Sequence, residues 1–133
     1  MKIFDCFMFF DEDQVLDLRL NVLNEYVDYF VIVESIYNHK GEKRNLLFNK
    51  NKYKDFSNKI IYLIYDEIPN SVKEVEKKDS KLTQDYKYIM NALYRENSQR
   101  NFILEGLKDA DQNDIILISD VDEIPKLNIN TLK

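Results

Sequence analysis

Residues 29–33 (Tyr-Phe-Val-Ile-Val) and 115–118 (Ile-Ile-Leu-Ile) are unbroken apolar or aromatic runs, each closed off by Asp, Asn, Glu or Ser at its flanks. A strand with one wet face alternates apolar and polar residues. An unbroken run suits a strand covered on both faces, as in a parallel sheet packed between helices. Ile3–Phe10, interrupted at Asp5, and Ile60–Tyr65 are two further strand candidates.

Helical patterns lie between these runs. Past Asp11 and Asp13, either of which suits an N-cap, Leu16, Leu20, Leu23 and Val27 recur at i, i+4, i+7 and i+11 and predict one apolar helical stripe. From about Thr83 to Lys108, a second pattern runs through Tyr86, Ile89, Met90, Leu93, Ile103 and Leu107. Its phase slips near Asn97-Ser98, which predicts a break or two helices. Residues 41–57 and 70–80 are charged and non-periodic and predict surface loops or short helices. The order strand, helix, strand, irregular region, strand, helix, strand predicts an α/β fold, a mostly parallel sheet flanked by helices with right-handed crossovers. No repeat or linker divides residues 1–133, which read as part or all of one domain.

Composition narrows the function. The chain has 19 Lys+Arg against 24 Asp+Glu, a net charge of −5. A duplex-DNA binder draws most of its affinity from phosphate contacts and needs a dense basic face, so nucleic acid is not the expected partner. Nine Tyr, eight Phe and the aliphatic runs supply core material that a disordered chain lacks. They are expected to pack the interior and not to form a base-stacking platform. Cys6 is the only cysteine, so the chain cannot form an internal disulfide or a Cys-based zinc site. It is expected in the core. The apolar stretches fall far short of the roughly 20 residues of a transmembrane helix. Asp5 stands where a signal peptide would carry its apolar region. Together these features predict a soluble protein of a reducing compartment, the cytoplasm.

The densest chemistry follows the last apolar run: Ser119-Asp120-Val121-Asp122-Glu123-Ile124-Pro125, with Asp114 just before the run. In open α/β sheets, ligands bind off the carboxyl ends of the strands. Crowded carboxylates raise each other's pKa unless a cation offsets them, and a hard divalent ion such as Mg²⁺ or Mn²⁺ does so while leaving positions for phosphate oxygens. In an extended chain Asp120 and Asp122 face the same way, toward one ion. The simpler alternative is a set of acids that only solvates a turn. Arg95, Glu96, Arg100 and Asn101 form a second cluster, suited to bidentate phosphate contact or, more simply, to a Glu96–Arg100 helix pair. Glu34-Ser35 ends the second strand at a ligand-facing edge or in water. His39 is the lone histidine and has no His or Cys neighbour in sequence.

Two blocks of this sequence resemble glycosyltransferase family 17. The first is Phe4-Asp5-Cys6-Phe7-Met8-Phe9-Phe10, then Glu12, Leu16, Arg19-Leu20, Leu23, and Val27 through Ser35. The second is Tyr94-Arg95-Glu96-Asn97, Gln99-Arg100-Asn101, Gly106-Leu107, and Asp114 through Pro125. The resemblance implies a GT-A-like, Rossmann-like fold, a UDP-sugar donor carrying N-acetylglucosamine, a glycan acceptor that need not be an N-glycan, and transfer with inversion. It implies that Asp120 and Asp122 hold Mn²⁺ or Mg²⁺ on the diphosphate, and that Phe10, Glu34, Arg95, Arg100 and Asp120 contact the nucleotide-sugar. In GT-A-like enzymes the acceptor site and general base usually follow the Asp-x-Asp motif. A chain that stops at Lys133 is therefore expected to be the donor-binding part of a transferase, with an incomplete sheet prone to self-association. Two other readings stay open. One is a catalytically inactive nucleotide- or sugar-binding module. The other is a metal-dependent nucleotidyltransferase, which would normally carry a Gly-rich phosphate loop that residues 9–12 lack.

Overall fold

The four expected strands pair entirely in parallel. In the computed structural model, which describes residues 1–132, they are β1 (Ile3–Phe9), β2 (Tyr29–Ser35), β3 (Ile60–Tyr65) and β4 (Ile115–Ile118), in the order β3-β2-β1-β4. This is a Rossmann-like α/β arrangement with few strands. Helix α1 covers Asp13–Leu23, α2 covers Lys81–Asn101, and a short α3 covers Ile129–Leu132. The start of β1 is tied down by two acids: Asp28 accepts the Ile3 N–H at 2.8 Å and Asp114 accepts the Lys2 N–H at 2.8 Å. Asp114 thus serves the end of the sheet away from Asp120 and Asp122.

Alternation along β1 and β2 sends side chains into two cores. Ile3, Phe7, Phe9, Phe30 and Ile32 meet Leu16, Leu20 and Leu23 of α1 on one face. Burying each of those leucines contributes about 1.5–3 kcal/mol. Phe4, Cys6, Val31 and Val33 meet Tyr65 and Ile103 on the other. Cys6 is fully buried, as expected. Asp5 is buried as well and does not break β1, because Arg19 of α1 pairs with it.

Several expectations need correction. The N-cap of α1 is Glu12, not Asp11 or Asp13, and the Glu12 carboxylate turns back to accept the Phe10 and Asp11 N–H groups. Val27 is buried but lies beyond the end of the helix. Ser80 caps α2 by accepting the Thr83 N–H. That helix runs unbroken past Asn97-Ser98, and the change of geometry falls at Phe102, where a 3₁₀ turn covers Phe102–Gly106. The turn lies directly on β2: a Cβ at Gly106 would come within 2.5 Å of Val31 Cγ1, so only glycine fits. The stripe of α2 is also reversed. Leu82, Tyr86, Ile89 and Leu93 are exposed. The buried residues are the amides Asn91, bonded both ways to the Lys73 backbone, and Gln99, which donates to the Val33 carbonyl.

The last strand differs as well. Among the described residues β4 pairs only with β1 and is an edge strand, with Ile115 and Leu117 packed inward and Ile118 55% exposed. Its apolar run is therefore not the mark of a strand buried on both faces.

Candidate donor-binding site

Past β4 the chain does not stay extended. Asp120 and Glu123 close a turn through the Glu123 N–H and the Asp120 carbonyl (2.9 Å), so the same-side alternation expected for Asp120 and Asp122 does not apply. The turn reaches a related result by another route. Val121 points inward and is buried, while Asp120 and Asp122 remain exposed on a cleft of about 290 Å³ at the carboxyl ends of β1 and β4. Phe10, Glu12, His39 and Glu96 form other parts of its wall. The third acid serves the turn: Glu123 Oε1 accepts the Asp120 N–H at 2.9 Å. Burial, and next the neighbouring Glu123 carboxylate, push the Asp120 carboxyl above its ordinary pKa, against the opposing pull of Arg100.

The turn is held from beneath by Arg19. Its Nε and Nη2 form a two-pronged pair with the Asp5 carboxylate at 2.8 and 2.6 Å, both side chains fully buried. Nη2 also donates to Ser119 Oγ at 2.6 Å. Nη1 donates to the carbonyls of Asp120 (2.7 Å), Val121 (3.2 Å) and Glu123 (3.0 Å). The guanidinium carbon sits 4.6 Å from the centre of the Phe7 ring. Neither Asp5 nor Arg19 stands out in the sequence as a site residue. Arg19 occupies a slot in the buried Leu16–Leu20–Leu23 face, where an apolar residue belongs.

The structure distributes the remaining candidates unevenly. Phe10 lines the cleft, its ring 5.0 Å from the His39 ring and its carbonyl bonded to Arg44. Arg100 stands at the rim, 3.0 Å from Glu96 in the expected helix pair and 3.7 Å from Asp120. Arg95 is one helical turn away in an adjoining small cavity, donating to the His39 carbonyl at 3.1 Å. It lies against Gly41, whose φ of +84° and lack of a side chain make room for the guanidinium. Glu34 is fully buried beside the cleft and does not line it. It accepts the Leu47 N–H (2.7 Å), the Phe48 N–H (3.1 Å) and the Tyr62 hydroxyl (2.6 Å), and pairs with Arg44 at 3.1 Å. The wall residue His39 carries no local sequence signal beyond being the single histidine.

No group of three His, Cys, Asp or Glu side chains among the described residues converges to hold a metal ion by itself. Asp120 and Asp122, two exposed carboxylates on one cleft, are oxygen donors of the kind a hard cation takes beside phosphate and water.

In open α/β sheets ligands bind off the carboxyl ends of the strands, which is where Asp120 and Asp122 lie. The chain belongs to glycosyltransferase family 17, whose family profile matches residues 1–133. It is 28% identical over 118 residues to beta-1,4-mannosyl-glycoprotein 4-beta-N-acetylglucosaminyltransferase of Homo sapiens, and equally to that of Rattus norvegicus. Each alignment takes in 86% of this chain and 20% of the relative, so the chain spans about a fifth of those proteins' length. No solved structure matches. Among the described residues, no helix is long and apolar enough to cross a membrane.

Proposed function

We propose that this chain forms the donor-binding part of a metal-dependent glycosyltransferase that moves N-acetylglucosamine from a UDP-sugar to a glycan acceptor with inversion. The observation that carries the reading is the placement of Asp120 and Asp122 on one cleft at the carboxyl ends of β1 and β4, in a chain that belongs to this family. The names of the curated relatives support the sugar and the kind of acceptor.

In this reading Asp120 and Asp122 hold Mn²⁺ or Mg²⁺. Bound there, the ion supplies Lewis-acid stabilisation of the negative charge that grows on the departing diphosphate. Arg100 at the rim adds a second cation, with a planar fork suited to phosphate oxygens. Phe10 presents an aromatic wall for the nucleotide. Glu12 and Glu96 close the remaining sides, and their charge favours a cation between ligand and protein over a bare anion.

Calorimetric titration of UDP with and without Mn²⁺ tests this proposal, with Asp122→Ala as control. Mn²⁺-dependent binding that Asp122→Ala abolishes, in a variant whose circular dichroism is unchanged, is the expected result. Equal affinity in the variant removes Asp122 as a ligand. Absence of Mn²⁺-dependent binding by the folded chain overturns its assignment as a donor site.

A further inference from the structure

We infer that Arg19 is a positioning residue: through its bonds to residues 119–123 it sets the conformation of the acidic turn and, through that, the hold of the site on a divalent cation. The second half of this statement rests on the proposed function; the first does not.

Three observations carry it. A guanidinium has five N–H groups, and those of Arg19 meet six acceptors, so at least one N–H is shared. Two of these acceptors are the Asp5 oxygens on the central strand and the other four belong to the turn, so one side chain joins α1, β1 and the segment after β4. Three of the turn's four consecutive carbonyls, those of Asp120, Val121 and Glu123, converge on Nη1. Carbonyls aimed inward fix the peptide planes between them and leave Asp120 and Asp122 exposed on the cleft. Finally, Asp5 neutralises the guanidinium inside the protein, so Arg19 acts on the turn as a set of directed donors more than as a free positive charge competing with the cation.

The same geometry explains why an arginine occupies an otherwise apolar helix face. Leucine there would pack against Phe7 and leave the carbonyls of the turn and the Asp5 carboxylate without partners. Lysine could answer Asp5 or the carbonyls, but a single ammonium cannot span both.

Two substitutions test the assignment. Arg19→Lys keeps a cation against Asp5 and loses the fork. Ser119→Ala removes the Arg19 Nη2 contact at Ser119 together with the Ser119 hydroxyl's own bond to the Glu123 carbonyl (3.2 Å), and leaves the buried Arg19–Asp5 pair intact. Each variant is read in two ways: amide hydrogen exchange of residues 120–123 relative to β1 and β2, and Mn²⁺ affinity from the electron paramagnetic resonance of the free ion. For Arg19→Lys the turn amides should exchange faster while the strand amides stay protected, and Mn²⁺ affinity should fall by about 10–100-fold, the usual cost of removing an outer-shell support. For Ser119→Ala both readouts should move in the same direction by less. If Arg19→Lys does not fold, Ser119→Ala decides. Unchanged turn exchange and unchanged Mn²⁺ affinity in a folded variant overturn the inference. If the unsubstituted chain binds no Mn²⁺, the metal reading fails on its own account, and turn exchange alone decides whether Arg19 positions residues 119–123.

Discussion

The Arg100 guanidinium lies 3.7 Å from the Asp120 carboxylate, near enough to favour its ionised form yet free enough at the rim to turn toward a ligand. Arg100→Ala is therefore expected to weaken Mn²⁺-dependent UDP binding by about 1–3 kcal/mol, the range for a hydrogen bond to a charged group. Stability should change by no more than about 0.5 kcal/mol, because the ion pairs of its side chain with Glu96 and Asp120 are partly open to solvent. Calorimetry and urea unfolding on the same variant separate the two effects. Lost stability with unchanged UDP affinity would reduce Arg100 to a partner of Glu96.

Glu34 illustrates the opposite case, a buried acid whose acceptors are committed to the protein. Glu34→Ala leaves Arg44 without its carboxylate and the Leu47 and Phe48 N–H groups without partners. We expect a loss of about 3–5 kcal/mol in urea unfolding, as for the breaking of other buried ion pairs. A loss below about 1 kcal/mol would show that the loop carrying Leu47 and Phe48 re-forms without it.

Gly41 supports Arg95 by having no side chain. Its φ of +84° is one that L-residues adopt at a cost of about 1–2 kcal/mol, and an added Cβ would run into the Arg95 guanidinium. Gly41→Ala should lower the thermal midpoint and free Arg95 from the His39 carbonyl. An unchanged midpoint would mean that the loop shifts at no cost.

Burial, and next the nearby Asp5 carboxylate, push the Cys6 thiol up to about 12, against the opposing effect of Arg19. The folded state therefore holds this proton more tightly than the unfolded chain does. The stability it contributes is complete below the unfolded value of 9.0 and is lost as pH rises toward about 12. Cys6→Ala should flatten that part of the alkaline decline in unfolding free energy. In the native protein at neutral pH, the thiol should react with a maleimide or disulfide reagent only as fast as the fold opens. Rapid labelling of the folded chain would contradict its placement.

The strands were legible because their signal is local. Ile60–Tyr65 and Ile115–Ile118 have the same bounds in sequence and structure, and Ile3 begins β1 in both. The place of β4 at the edge was hidden, because an apolar run does not reveal whether both of its sides find neighbours. Tyr86, Ile89 and Leu93 misled for a similar reason: helical spacing defines a face but not what the face meets, and the buried side of α2 meets the Lys73 loop through Asn91 and β2 through Gln99, by hydrogen bonds. The acids of the site were visible as a cluster. Their support was not, since Arg19 reaches Asp120 across 101 positions and no local pattern encodes such a contact.

The pairing of β1 with β4 joins residues more than a hundred positions apart, Ile3 opposite Ile115. During synthesis at about 5–20 residues per second, the first strand waits some seconds before its second neighbour leaves the ribosome. Throughout that interval one edge of a seven-residue, β-prone segment, Ile-Phe-Asp-Cys-Phe-Met-Phe, stands open to foreign strands. Asp5, the one charge in it, discourages stacking until Arg19 and the late-arriving turn enclose it. The residue that later anchors the cleft thus first acts as a guard against aggregation in the nascent chain.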